Sequence, residues 1–241
     1  MATVATIWGL RLTYNFARRG GYSFPPWKGE EDYRWEQIRQ GHYLKILQNP
    51  LVWTVFNFVF ISFYQNVLLL LIASPSLVAY TMATNRACSE NGVPINILDF
   101  VAAGLVIFFI IVETLADNQQ YTFQTEKYRQ INAGEELKGE YKDGFCQSGL
   151  FSIVRKPNYA AEQSIWISFY LFSISATQGN LFNWTMIGCV LLVLLFQGSG
   201  QLTEKLSIMK HPSYTEYQKR VPLYVPNIFS MFRKQAKVKN E

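Results

Sequence analysis

Cysteine and histidine are scarce in this chain. The cysteines Cys88, Cys146 and Cys189 lie far apart, and so do the histidines His42 and His211. None of these spacings suits a zinc site or a disulfide framework. The sequence therefore predicts neither a histidine-based metal centre nor a disulfide-stabilised domain.

Signatures of soluble nucleotide-binding enzymes are also absent. The chain has no Walker A loop, no glycine-rich dinucleotide fingerprint and no nucleophile elbow. Charged residues make up only 16% of its 241 residues, whereas 49% are hydrophobic and 16% aromatic. A nucleotide bound by this protein would have to lie between membrane helices and the loops that connect them.

Long apolar segments are abundant instead. Residues 51–73 contain no charged side chain, residues 164–177 form a shorter segment, and residues 3–17 are interrupted by Arg11. Because about 20 apolar residues span a bilayer, we predict an all-α membrane bundle of four or five transmembrane helices, built as a single domain over residues 1–241. The candidate spans are residues 3–17, 51–73, 95–116, 164–177 and 181–202.

The basic residues are distributed unevenly between the connections. Segments 18–50, 117–163 and 203–241 hold every Lys and Arg except Arg11 and Arg86. These segments alternate with the predicted spans, so we expect them on one side of the membrane, as the positive-inside rule requires. The net charge of +5 is explained by this topology, and nothing in the sequence favours a nucleic-acid partner.

Polar side chains follow one face of the third predicted span. Glu113, Asp117, Gln120 and Gln124 recur at helical steps of three and four. Carboxylates near hydrocarbon usually face a partner or a water-filled cavity. We predict a cofactor-binding role for Asp117 and Gln120. The alternative is that Glu113 pairs with a basic side chain and Asp117 caps the interface.

Two further polar sets lie near the ends of the outer spans. Gln201 and Glu204 close the last span on its basic side, and we predict that Glu204 contributes to the same pocket. Near the amino terminus, Arg11 shares one helical face with Asn15 and Arg18. Arg11 is either a snorkelling arginine or the partner of a buried anion, and both readings stay open.

Residues 149–162 read Gly-Leu-Phe-Ser-Ile-Val-Arg-Lys-Pro-Asn-Tyr-Ala-Ala-Glu and lead into an apolar segment. Pro157 lacks an N–H and disfavours helical angles at Lys156. We therefore expect a turn at the end of a membrane helix, and this turn carries the cations Arg155 and Lys156 and the amide of Asn158. Such a turn suits a phosphorylated cofactor at the water–lipid boundary.

Four pieces of the chain resemble, in order, the motifs of the steroid 5-alpha-reductase-like superfamily. These motifs are a W-x-x-R-L … D-Y-R opening, an E-x-x-A-D-x-Q helix, the central signature and a closing E … Y-x-x-Y … P element. Members of this superfamily are integral membrane oxidoreductases that use NADPH, and the resemblance points to its poorly characterised branch near the steroid reductases. The matching pieces are residues 8–12 with 32–34, residues 113–119, residues 149–162 and residues 204–226.

The resemblance implies a set of NADPH contacts on the basic side of the membrane. It places Arg155 beside the phosphates. Gln120 from the third predicted span and Glu204 from the last one complete the predicted set. The cofactor-pocket positions that it assigns are Arg11, Asp117, Asn158, Tyr159 and Glu162.

The chain departs from the superfamily at several catalytic positions. Trp8 stands where the steroid reductases carry a tyrosine, Lys156 replaces the usual histidine, and Ala161 replaces a glycine. The superfamily's catalytic carboxylate precedes the first matching helix, so this chain resembles a shortened member. We expect cofactor binding more than steroid reduction, and no catalytic residue is assigned. Tyr14 and Glu113 are the candidates for the proton donor.

Three functions are compatible with this pattern. The first is an NAD(P)H-dependent reductase of a C=C bond in a lipophilic substrate, steroid-like or an enoyl lipid. The second is a catalytically degenerate member that serves as a subunit of a membrane complex, in contact with lipids and partner proteins. The third, an isoprenylcysteine-type methyltransferase, is disfavoured by residues 117–119 and 156–159. We expect the endoplasmic reticulum membrane, with the mitochondrial inner membrane as the alternative because the amino terminus also resembles a presequence.

Overall fold

The computed structural model of the chain describes residues 1–25, 33–41, 44–87 and 95–227. These residues form helices joined by short connections, and none of them lies in a β-strand. The all-α prediction is therefore confirmed for this part of the chain. The α-helices are α1 (Ala2–Arg18), α2 (Tyr33–Arg39), α3 (Pro50–Phe56), α4 (Gln65–Ala87), α5 (Ile97–Asn132), α6 (Glu140–Asp143), α7 (Pro157–Ala176), α8 (Met186–Lys210) and α9 (Tyr214–Arg220).

Three helical stretches have the length and apolar composition of a membrane span. They are Pro50–Thr84, Ile97–Asn132 and Met186–Lys210. The first joins α3 to α4 through the π-helical segment Asn57–Tyr64. The protein is therefore an integral membrane protein. Within the described residues α1 and α7 do not meet the same criterion, so a total of four or five spans stays a prediction.

Helix α5 is longer than a bilayer is thick. Its 36 residues rise about 54 Å, against a hydrocarbon core of about 30 Å. Apart from Asp99 in the first turn, its charged side chains begin at Glu113 and continue to its end. We call residues 113–132 the polar extension of α5, because they are long and polar enough to leave the hydrocarbon.

Helix α4 continues through a proline. The sequence predicts a span that ends at residue 73, but α4 runs to Ala87 with Pro75 inside it. Pro75 has no N–H to donate to the carbonyl of Leu71, four residues earlier. The hydroxyl of Ser74 donates to that carbonyl instead, at 2.6 Å. The helix therefore keeps its backbone acceptor satisfied without a break.

The ends of α7 and α8 also differ from the predicted spans. Helix α8 begins at Met186 rather than at residue 181, because Asn183 Oδ1 accepts from the backbone N–H and the hydroxyl of Thr185 and holds the preceding residues in turns. Helix α7 begins at Pro157, at the first helical position, where a proline costs no hydrogen bond. Asn158 and Tyr159 consequently lie in the first turn of a helix, which corrects the prediction of a turn outside it.

Among the described residues the chain forms two compact units. The first contains Met1–Phe109 and Gln163–Thr203, and the second contains Ile110–Glu162 and the residues from Glu204 onward. A compact unit within one chain is not necessarily a separate domain, so the single domain stays a prediction.

The first unit is packed through aromatic and backbone contacts. The rings of Trp8 and Trp166 meet edge to face with centroids 4.9 Å apart and join α1 to α7. Gly188 of α8 lies against the backbone of Leu71, and a Cβ at this position would overlap that backbone. On α2, Arg34 donates to the hydroxyl of Ser199 at 3.4 Å. Gly188 thus permits close packing of α8 against α4, whereas a Cβ added at Gly198 would meet no other atom.

Candidate functional site

The second unit holds nearly the whole predicted cofactor set. Arg11 is the exception, since it lies on α1 in the first unit, and its place in the set stays a prediction. Asp32 of the resembling D-Y-R motif lies outside the described residues. The predicted residues within the second unit are Asp117, Gln120, Arg155, Asn158, Tyr159, Glu162 and Glu204.

The first two carboxylates of the polar extension are buried. Glu113 is 6% exposed and Asp117 is 5% exposed, while Gln120 on the same face is half-buried. A lipid-facing Asp117 would have argued against a cofactor site shared with Asn158, but Asp117 is buried. The polar face of α5 is therefore covered by protein, as a cofactor-binding or ion-pairing face would be.

A neighbouring face of α5 holds the signature segment, residues 149–157. The side-chain oxygen of Gln119 accepts from the backbone N–H of Leu150 at 2.9 Å. Gly149 has a φ of 57° and lies so close to the Gln119 amide that a Cβ would overlap it. Position 149 therefore requires a glycine for two reasons, its left-handed backbone and its contact with α5. Gln119 was not predicted as a site residue, although it belongs to the resembling E-x-x-A-D-x-Q motif.

Apolar packing reinforces this contact one turn further along α5. Phe123 lies four residues after Gln119 and forms a buried cluster with Cys146 and Phe151. Tyr141 stacks on the ring of Phe123, with centroids 5.2 Å apart and planes 6° from parallel. The signature segment is therefore fixed to α5 near its start, by a hydrogen bond at Leu150 and by aromatic packing at the adjacent Phe151.

The chain after α9 runs beside the same segment. The backbone N–H of Arg155 donates to the carbonyl of Pro222 at 2.8 Å, and that of Lys156 donates to Leu223 at 3.1 Å. The hydroxyl of Tyr217 donates to the carbonyl of Phe151. The signature segment thus takes its backbone partners from a stretch of chain more than sixty residues away.

The tyrosines of α9 are part of the interior of this unit. Tyr214 is 3% exposed and Tyr217 is 2% exposed, and both pack with Val221 and Phe145. These two tyrosines therefore pack inside the protein rather than at a membrane interface. Burial raises the pKa of Tyr214, Tyr217 and Tyr224 above the ordinary tyrosine range. All three hydroxyls therefore remain protonated at neutral pH.

Arg155 and Glu204 form a buried ion pair. Arg155 Nη2 lies 2.7 Å from Glu204 Oε2, and the two side chains are 11% and 8% exposed. The Nη1 group donates to the carbonyls of Gln218 and Val221. The carboxylate of Glu204 also accepts from the Tyr214 hydroxyl and, at 2.6 Å, from the Gln218 amide. Two predicted cofactor residues thus bind each other, and phosphate binding by Arg155 stays a prediction that would require this pair to open.

The first two turns of α7 carry the remaining predicted residues. Asn158, Tyr159 and Glu162 are half-buried, and the ammonium group of Lys156 lies 5.9 Å from the centre of the Tyr159 ring. The amino-terminal end of a helix carries a partial positive charge, which favours anions, although at this end the N–H groups of Tyr159 and Ala160 already donate to Asn158 Oδ1 and to the carbonyl of Lys156. With Lys156 beside it, this helix end has the chemistry of a phosphate-binding group.

Neither proton-donor candidate is tied to this helix end by a described contact. Tyr14 is 66% exposed on α1, and the guanidinium group of Arg18 lies over its ring at 5.6 Å. Glu113 is buried on α5. The role of either residue as a proton donor stays a prediction.

A surface depression of about 560 Å³ lies elsewhere on the second unit. It is lined by the end of α5 and the following loop, including Gln130, Glu135, Lys138 and Tyr141, and by none of the predicted cofactor residues. The cofactor pocket therefore stays a prediction.

These features describe an integral membrane protein with an all-helical polar unit built around a Lys-Pro-Asn-Tyr helix start. The chain belongs to the protein family of unknown function DUF1295, whose profile matches residues 1–221. It is 37% identical over 235 residues to an uncharacterized protein of Schizosaccharomyces pombe, and the match covers 95% of this chain and 63% of the yeast protein. No solved structure matches the chain.

Proposed function

We propose that this protein is a membrane NAD(P)H-dependent reductase of a C=C bond in a lipophilic substrate, either steroid-like or an enoyl lipid. The supporting observation is the grouping of Asp117, Asn158, Tyr159 and Glu162 in one compact unit. In that unit the signature segment is bonded to α5 through Gln119. The resemblance to the steroid 5-alpha-reductase-like superfamily assigns these four residues to the cofactor.

The residues of the second unit suit the parts of such a cofactor. Lys156 and the first turn of α7 would meet its phosphates, while the amide of Asn158 would pair with the carboxamide of the nicotinamide ring. When bound, such a cofactor would supply a hydride for the β-carbon of the substrate. A buried acid must then protonate the α-carbon, and Glu113 is our candidate for that donor.

Binding of NADPH by the purified full-length protein tests this proposal directly. We expect saturable binding, measured by the change in NADPH fluorescence. Asp117→Asn and Asn158→Ala should each weaken binding about tenfold to hundredfold, as the loss of a charged or buried hydrogen bond does. Glu136→Gln and Asn132→Ala, which alter exposed residues outside the set, are the matched controls. A folded wild-type protein that bound neither NADPH nor NADH would refute the reductase.

The second candidate function is that of a subunit in a membrane protein complex. It is favoured by the Arg155–Glu204 pair, because the cation expected beside the phosphates is already used inside the protein. Wild-type protein that binds no NADPH, yet elutes in a complex of fixed composition that Asp117→Asn leaves intact, would support this alternative.

We further propose the endoplasmic reticulum membrane as the location, with the mitochondrial inner membrane as the alternative. Both accommodate an integral membrane protein with three candidate spans. Organelle fractionation of cells that express the full-length chain distinguishes them.

A further inference from the structure

Two nitrogen-bearing side chains of the second unit meet at Gly144, and a third basic side chain acts electrostatically on both. Lys127, on the polar extension of α5, donates to the carbonyl of Gly144 at 2.9 Å. The imidazole ring of His211 lies so close to Gly144 that a Cβ there would overlap the ring. Lys210 precedes His211 at the end of α8 and acts electrostatically on it, as does Lys127. We call Lys127, Lys210 and His211 the basic cluster.

This cluster has unused hydrogen-bonding capacity among the described residues. Lys127 is 8% exposed, and of the three donors of its ammonium group only one has a protein acceptor there. Among the described residues, Lys210 and the imidazole of His211 make no side-chain hydrogen bond. No carboxylate there lies within ion-pair distance of Lys127 or Lys210. Asp143 acts on His211 only at longer range, and its carboxylate already accepts from Gln147 at 2.6 Å.

A buried ammonium group is costly unless an anion compensates it. The cluster lies where the long helices α5 and α8 end, beyond their apolar stretches and on the side that holds most of the basic residues. Phospholipid headgroups lie at this level of a bilayer, and basic pockets at the ends of membrane helices attract anionic ones.

We propose that Lys127, Lys210 and His211 bind the phosphate group of an anionic phospholipid at the membrane surface. The headgroup supplies the negative charge that the cluster lacks, and its phosphate oxygens accept from Lys210, from His211 and from the remaining N–H groups of Lys127. Because the protonated imidazole is a donor at both nitrogens, binding strengthens as His211 gains its proton. This site is independent of the proposed reductase activity and uses none of the predicted cofactor residues.

Native mass spectrometry of the full-length protein in nanodiscs tests the proposal. The probe is phosphatidic acid at a low mole fraction in phosphatidylcholine. We expect wild-type protein to retain phosphatidic acid selectively, and more of it at pH 5.5 than at pH 7.5. Lys210→Gln and His211→Gln should each reduce this retention about fivefold, since one basic group near an anionic headgroup contributes about 1 kcal/mol. His211→Gln should also abolish the pH dependence.

Lys219→Gln is the matched control, because Lys219 is equally basic, 70% exposed and already paired with Glu216. Lys210 and His211 are on the surface side of the cluster, so their variants test the site without removing the buried Lys127. Equal retention of phosphatidic acid by the control and by both cluster variants would overturn the proposal. Displacement of the lipid by millimolar inorganic phosphate would assign the site to soluble phosphate instead, and displacement by NADPH alone would assign it to the cofactor.

Discussion

Glu204 connects three side chains of the second unit. Its carboxylate accepts from Arg155, Tyr214 and Gln218. Removing one partner of a buried ion pair leaves an uncompensated charge, whereas replacing both partners with apolar residues is often neutral. The contribution of this pair to stability is therefore visible only when the partners are changed separately and together.

We predict that Glu204→Gln lowers the free energy of unfolding by about 3–5 kcal/mol, because the guanidinium group of Arg155 remains buried without its counter-ion. The double variant Arg155→Met/Glu204→Leu should recover most of this loss. Glu216→Gln, which opens an exposed pair with Lys219, should leave the unfolding transition unchanged. Denaturant unfolding in detergent, followed by circular dichroism, measures all three. A Glu204→Gln protein as stable as wild type would contradict the structural role of the pair.

His211 gives the second unit a dependence on pH. Burial, and then the nearby Lys127 and Lys210, lower the pKa of His211, while Asp143 opposes them. The folded protein therefore favours the neutral imidazole, and the unfolded chain gains the proton first, near pH 6.5. We predict that stability is full above about pH 6.5 and falls as the pH drops through the lowered pKa of the folded state.

Thermal unfolding between pH 5 and pH 8, in detergent without anionic lipid, checks this prediction. The melting temperature of wild-type protein should fall on the acid side, and that of His211→Gln should fall less. If the two profiles ran parallel, the acid sensitivity would belong to other groups.

Helix α4 shows how a single hydroxyl group supports an element that crosses a membrane. Ser74 replaces the N–H that Pro75 lacks, whereas Ser76 makes a similar bond to the carbonyl of Ala73, which in a helix also pairs with the backbone N–H of Leu77. We predict that Ser74→Ala costs about 1–3 kcal/mol, because it leaves the carbonyl of Leu71 unsatisfied in hydrocarbon. Ser76→Ala should cost much less. The melting temperatures of the two variants provide the measurement, and equal losses would show that Ser74 has no special role at the proline.

The elements could be predicted from the sequence more reliably than their ends. Charge-free stretches such as residues 51–73 identify membrane helices, since hydrocarbon tolerates few alternatives. The extension of α4 to Ala87 and the start of α8 at Met186 could not be predicted in the same way. Both depend on individual side-chain hydrogen bonds, made by Ser74 and Asn183 respectively.

The candidate site also contains some features that the sequence predicts and others that it does not. The periodicity of α5 identified Glu113 and Asp117 as residues of one polar face, and both are buried. The pairing of Arg155 with Glu204 was not predicted, because the two residues are 49 positions apart and nothing local connects them. Spacing along a helix is legible in a sequence, but a contact between distant segments requires the tertiary structure.

At the scale of the whole molecule, the distribution of charge predicts the topology. Segments 18–50, 117–163 and 203–241 should share one side of the membrane, opposite the connection that follows α4. The topology is tested with single cysteines placed in a cysteine-free variant at the exposed positions Lys138, Lys219 and Thr84. An impermeant thiol reagent is applied to the protein in sealed vesicles. We expect positions 138 and 219 to react from one side and position 84 from the other. Labelling of positions 84 and 138 from the same side would contradict the topology.

The tail that completes the signature segment also sets an order of events during synthesis. Tyr217 bonds to Phe151 across 66 positions of the chain. At 5–20 residues per second, a ribosome takes roughly 3–13 s to make the intervening chain. During that interval Arg155 has no carboxylate and the carbonyl of Phe151 has no donor, so the nascent protein exposes an unfinished polar surface beside the membrane. A chain stalled before residue 204 would keep that surface, and cellular quality control would have a specific feature by which to recognise it.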